Sequence, residues 1–104
     1  MIGTGMMRLG FVFSIAVAIA SAQDGKALFE KKCSFCHATT TDERKLGPSL
    51  KGLKNGTMPD AIGRAATREN ILLKVNDGGN GMPVFRDLLT KEEKDAIVAY
   101  AMTL

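Results

Sequence analysis

After residue 22, apolar positions recur at helical spacing. Leu28, Phe29, Cys33 and Cys36 fall on one face, with the long stem of Lys32 beside them. Asp24 stands just ahead and reads as an N-cap. The first predicted helix therefore delivers an aromatic ring and two thiols to one side. Residues 38–58 lose that period. They hold three consecutive threonines, Gly47-Pro48, Gly52 and Asn55-Gly56, the composition of a long loop. Pro59 opens a short turn. Thr67 then reads as the N-cap of a second helix with Ile71, Leu72 and Val75 on one face, stopped by Asp77-Gly78-Gly79. Residues 78–89 are again irregular and carry Met82-Pro83. Thr90-Lys91-Glu92-Glu93 has the form of a capping box. The helix it starts puts Ile97, Tyr100, Ala101 and Leu104 on a single stripe. No window alternates at period 2 for long enough to make a strand, so an all-α protein is predicted. There are no internal repeats and no low-complexity tract.

The N-terminal stretch reads differently. Arg8 is the one charge before Asp24, and an uninterrupted run of small and apolar residues follows it over 11–20. That run is short for a membrane span, which needs about 20 residues. Ala20-Ser21-Ala22 supplies a small-x-small cleavage site. The expected arrangement is a signal peptide at 1–22 and one mature domain at 23–104. That domain would be exported to the periplasm and not inserted in the membrane after cleavage. A retained N-terminal anchor is the alternative. A domain of this size is marginal on side chains alone and calls for a staple or a cofactor. Charge excludes some partners. Without Arg8, the 14 basic residues fall to 13 against 11 acidic ones, a net of +2. That is too mild for nucleic acid or for a membrane surface. Lys26, Lys31, Lys32, Arg44, Lys45, Lys51 and Lys54 crowd the first half, and Glu92, Glu93 and Asp95 lie near the end.

The candidate chemistry is Cys33-Ser34-Phe35-Cys36-His37. C-x-x-C-H is the pattern that attaches a c-type haem. Two thiols three positions apart can each add across a vinyl group of one porphyrin, and the adjacent imidazole can bind the iron. Other readings fit less of the motif. A closed zinc site needs four ligands, and this chain has two cysteines and one histidine. A thioredoxin-like pair belongs in a βαβ pattern, which is missing. A disulfide gives no reason for His37 to follow Cys36.

With these residues in view, the chain resembles the class I c-type cytochromes, the small soluble bacterial kind, over residues 23–104. The resemblance rests on C-x-x-C-H, on Gly47-Pro48 soon after it, and on Gly81-Met82-Pro83 before a last helix bearing an aromatic. It implies the cytochrome c fold, with three to five short helices wrapped around one covalently attached haem c. It implies that the first and last helices cross where Gly25 and Phe29 meet Tyr100. It gives Pro48 the role of accepting, through its carbonyl, the second N–H of the His37 ring.

Bis-histidine ligation is excluded because His37 is the only histidine. The soft donors left after residue 22 are Met58, Met82 and Met102. Met102 has the look of helix filler. Met58 and Met82 both precede proline, so the local motif does not separate them. The glycine-rich setting of Met82, with Phe85 close behind, favours it, and so does its place between two helices, as in the family. His37 and Met82 are the expected iron ligands. Two fixed ligands point to electron transfer, within an apolar wall of Phe29, Leu46, Leu50, Leu53, Ile71, Leu72, Val75, Phe85 and Ile97. The expected protein is a monomeric, non-catalytic carrier. It would dock transiently, by the exposed haem edge, with redox protein partners that act as donor and acceptor. The competing readings are a haem subunit of a membrane oxidase or dehydrogenase with a retained anchor, a haem peroxidase, and a gas sensor.

Overall fold

The computed structural model describes residues 21–104, with side chains from Asp24 onward. The expected signal peptide lies outside the described residues, apart from Ser21 and Ala22. Three α-helices follow in order: α1 at Ser21–Lys32, α2 at Arg68–Asp77 and α3 at Lys91–Ala101, with a 3₁₀ turn at Leu53–Asn55. Among the described residues there are isolated bridges but no strand. None of the described helices is long and apolar enough to cross a membrane.

Local chemistry accounts for the helix ends. Thr67 Oγ1 accepts the Asn70 N–H at 3.1 Å and starts α2. At α3 the capping box is complete. Thr90 Oγ1 accepts from the Glu93 backbone at 3.1 Å, and Glu93 Oε1 accepts from the Thr90 backbone at 2.8 Å. At α1 the expectation needs correction. Asp24 is not the N-cap, because the helix begins at Ser21 and Asp24 sits in its first turn. Ser21, Ala22 and Gln23 carry nothing that breaks a helix, and a carboxylate there still meets the positive end of the helix dipole.

α1 crosses α3 face to face at Gly25. A Cβ on Gly25 would collide with the Ala96 carbonyl oxygen and lie 2.7 Å from its carbon and 3.0 Å from Tyr100 Cβ. Even alanine is therefore too large here, since the obstacle is backbone and cannot rotate away. One turn on, the rings of Phe29 and Tyr100 meet edge to face with centroids 5.4 Å apart.

α3 is apolar on two sides, not on one stripe. Ile97 and the half-buried Tyr100 join Phe29, Val75 and Leu89 in one cluster. Val98 and Ala101 join Leu53, Met58 and Ile71 in another, with Leu72 and Leu104 packed on it. Val98 is fully buried and falls outside the predicted stripe. The chain end is pinned as well, because the Gly52 N–H donates to the Leu104 carbonyl at 2.8 Å.

Candidate functional site

α1 stops at Lys32, yet the backbone keeps turning. The N–H groups of Cys33 and Ser34 both donate to the Phe29 carbonyl, at 2.8 and 3.0 Å. The His37 N–H then donates to the Cys33 carbonyl at 3.0 Å, and the Cys36 N–H to the same oxygen at 3.1 Å. The two thiols therefore share one helix-like turn just beyond the helix. Both are free and half-buried. Burial, with a smaller push from neighbouring Cys36, raises the Cys33 thiol to about 11. It is protonated at neutral pH, the opposite of the lowered thiol that redox or nucleophilic chemistry requires. Among the described residues no three His, Cys, Asp or Glu side chains converge on a point.

The His37 ring is oriented by a loop that returns to it. The Gly47 N–H donates to the Cys36 carbonyl at 2.8 Å, which brings Pro48 alongside. His37 Nδ1 and Pro48 O are 2.7 Å apart. A carbonyl oxygen can only accept, so Nδ1 carries the proton and Nε2 keeps its lone pair for a metal. Gly47 makes this approach possible. A Cβ there would lie 2.8 Å from His37 Cε1 and 3.1 Å from Nδ1. The wider loop is tied down by the Leu50 N–H to the Ala38 carbonyl at 2.9 Å and by Lys45 Nζ to the Ser34 carbonyl at 2.8 Å.

Cys33, Cys36, His37 and Pro48 are thus gathered by α1 and the loop after it. Met82 comes from the other side of the chain. It is half-buried and packs on the cluster of Phe29, Val75, Leu89 and Ile97, the same cluster that Cys33 and Phe85 touch. Met58 lies in the other cluster, 7% exposed, among Leu53, Ile71, Val98 and Ala101. The expected apolar wall divides in the same way. Phe29, Val75 and Ile97 are buried on the Met82 side, with Leu50 and Phe85 packed against them. Leu53 and Ile71 are buried on the Met58 side, with Leu72 beside them. Leu46 joins neither and stands 72% exposed, because the Gly47 and Lys45 bonds turn it outward. Sequence reasoning treated Gly47 only as part of a turn. Its one detectable signal was its position directly before Pro48.

The donor set suits a c-type haem. Two free thiols share a turn, and an imidazole with Nε2 left over is held by a carbonyl in a cradle that a Cβ would fill. Comparison with known proteins agrees. A sequence-family profile described as cytochrome c oxidase, cbb3-type, subunit III matches residues 20–100. Cytochrome c6 of Nostoc sp. strain PCC 7120 is 29% identical over 98 residues, 94% of this chain and 84% of that protein. Cytochrome c-551 of Stutzerimonas stutzeri is 30% identical over 106 residues, 95% of this chain and 92% of that protein. The solved structure of cytochrome c6 from the diatom Phaeodactylum tricornutum superposes with a TM-score of 0.63 at 26% identity, covering 80% of this chain and 92% of that one.

Proposed function

This chain belongs to the class I c-type cytochromes, and from that premise we propose which of its residues do the family's work. The protein is an electron carrier with one covalently bound haem c. Bound haem supplies the one-electron iron couple. The chain supplies attachment, ligation and a dry surround. Cys33 and Cys36 attach the porphyrin, each S–H adding across one vinyl group, sulfur to one carbon and hydrogen to the other. His37 would hold the iron through Nε2, with Pro48 O keeping its tautomer and its plane. Met82 would supply the second iron ligand. Thioether sulfur is a weak, neutral ligand that favours the ferrous state and raises the potential. With His37 and Met82 both holding the iron, no position would be left for a substrate, which supports a carrier and not an enzyme.

The single observation that carries this reading is the His37 Nδ1 contact with Pro48 O, beside two free thiols on one turn. Acidified organic solvent is the direct test of attachment. Haem that stays with the polypeptide is expected, and its release would end the covalent reading. Cys36→Ala should leave at most one thioether and impair maturation.

Partners meet such a carrier briefly. Phe35 and Leu46 are 79% and 72% exposed beside the motif. The exposed basic residues Lys31, Lys32, Arg44 and Lys45 flank them along the chain. The acidic stretch at the other end offers less free charge, since Asp95 is engaged by Arg68 and Lys91. A small, transient interface with acidic redox proteins follows, and its electron-transfer rate should fall as salt rises. We place the carrier in the periplasm as a monomer, after removal of residues 1–22. Mass spectrometry of the mature chain checks that. A product starting at Met1 in the membrane fraction would favour an anchored oxidase or dehydrogenase subunit.

A further inference from the structure

The segment carrying Met82 is closed by backbone contacts onto the end of α2. The Gly78 N–H donates to the Lys74 carbonyl at 2.8 Å, and Lys74 Nζ donates to the Gly78 carbonyl at 3.0 Å. Lys74 therefore holds both polar groups of one glycine. Beyond it, Gly79 and Met82 exchange backbone hydrogen bonds of 3.0 Å in each direction. The two residues between them, Asn80 and Gly81, have φ of 52° and 92°. Two left-handed residues inside a paired turn make a tight reversal of the Asn-Gly kind. Past Met82, the Phe85 N–H donates to the Val75 carbonyl at 3.1 Å, another acceptor at the end of α2. Gly78 is the crowded point of this closure. Its φ is +62°, and a Cβ there would strike the Met82 carbonyl oxygen and lie 2.5 Å from Pro83 O and 2.8 Å from Pro83 C. These obstacles are backbone, so no side-chain rotation relieves them.

We propose that Gly78 is a positioning residue for the distal ligand: its missing side chain lets the Met82 and Pro83 carbonyls close on the end of α2, and Lys74 latches that closure so that Met82 is presented from a fixed backbone. The inference rests on Met82 as the ligand. A Cβ at Gly78 forces the Met82 and Pro83 peptides outward while leaving the two clusters that hold the helices together. The effect should fall on ligation before it falls on the fold.

The test uses the purified haem-loaded protein. The sulfur-to-iron absorption band of the oxidised form reports methionine ligation. Carbon monoxide binding by the reduced form reports an open iron. Gly78→Ala is expected to lose most of the band and to bind carbon monoxide about tenfold more tightly. Gly81→Ala is the control for backbone strain alone, since it shares a left-handed φ of +92° but an added Cβ meets nothing within 4 Å. It should keep most of the band. Equal losses in the two variants, or a Gly78→Ala protein with the parent band, overturn the proposal. Met82→Ala runs beside them. If the band survives Met82→Ala, the ligand reading falls and the proposal falls with it. If the band vanishes there but persists in Gly78→Ala, the ligand reading stands and the positioning role is wrong. Should Gly78→Ala fail to fold, Lys74→Met decides. Its band should bleach on heating well before the helical circular dichroism melts, and bleaching that coincides with melting, as in the parent, overturns the latch.

Discussion

Met58 and Met82 each precede a proline in a loop, yet the two loops are closed in different ways. The Met58 loop is tied to itself. The Met58 N–H donates to the Arg64 carbonyl at 2.8 Å, and the Ala66 N–H to the Gly56 carbonyl at 2.9 Å. Asp60 spans it, accepting from the Arg64 backbone at 3.1 Å and from its guanidinium at 2.8 Å. The Arg64 hydrogen bond holds the Asp60 carboxyl below its usual range. A loop closed on itself drops Met58 into the core between α2 and α3. The Met82 loop is tied to α2 instead, through Lys74 and Val75. Its methionine lies on the cluster that Cys33 also touches. The same dipeptide thus fills space in one place and, in the function proposed above, supplies the ligand in the other. What differs is which carbonyls accept the loop's N–H groups.

The sharpest way to break this contrast is Met82→Ala in the haem-loaded protein. It should abolish the sulfur-to-iron band, admit carbon monoxide and lower the reduction potential. A fall of about 0.1–0.3 V is expected, a fraction of the ~0.8 V that axial ligands span. A variant with unchanged potential and spectrum would refute the assignment. Met58→Ala should do the reverse. It should leave the band in place and cost about 2–5 kcal/mol in denaturant unfolding, the usual cost of emptying a buried methionine site. Loss of the band without loss of stability would exchange the two roles.

Gly25→Ala sharpens the contrast from a distance. Its Cβ meets the Ala96 carbonyl, so α1 must shift away from α3. Overpacking of this kind costs about 1–3 kcal/mol. Because Phe29 and Tyr100 belong to the Met82 side, carbon monoxide binding should rise slightly while the packing around Met58 is spared. An unchanged melting temperature would mean that the helices do not meet there.

The smallest expected effect is at Asp95, which joins α3 to α2 through Arg68 at 2.7 Å and is paired with Lys91 at 2.9 Å. The Lys91 hydrogen bond, aided by its charge, lowers the Asp95 carboxyl below its usual value. A carboxylate lowered on folding adds stability above its unfolded pKa, and that stability fades as pH falls through the folded one. Asp95→Asn should therefore lower the melting temperature slightly at neutral pH and not at all in strong acid, where the parent is also protonated. Both methionine loops should respond equally, since the pair serves the α2–α3 contact beneath each. A larger loss in acid than at neutrality would reverse the sign of this argument.

Much of this molecule was legible from short stretches of chain. The caps at Thr67 and Thr90, the stop at Gly78 and the run from Cys33 to His37 each act within about one helical turn. Their chemistry depends on neighbours that the sequence itself supplies. The meeting of Phe29 with Tyr100 was accessible through the family resemblance, which sets an aromatic of the first helix against one of the last. Other features belong to the tertiary structure alone. The split of α3 into two apolar sides, the outward turn of Leu46, the bar against even alanine at Gly25, and the separate environments of Met58 and Met82 all depend on atoms distant in sequence. Gly47 and Gly78 show the reason most plainly. As letters they are turn residues, and their use lies in what a Cβ would strike: the ring of His37 in one case and the backbone after Met82 in the other. Steric exclusion is a property of the assembled neighbourhood, fixed only when the loop has already closed.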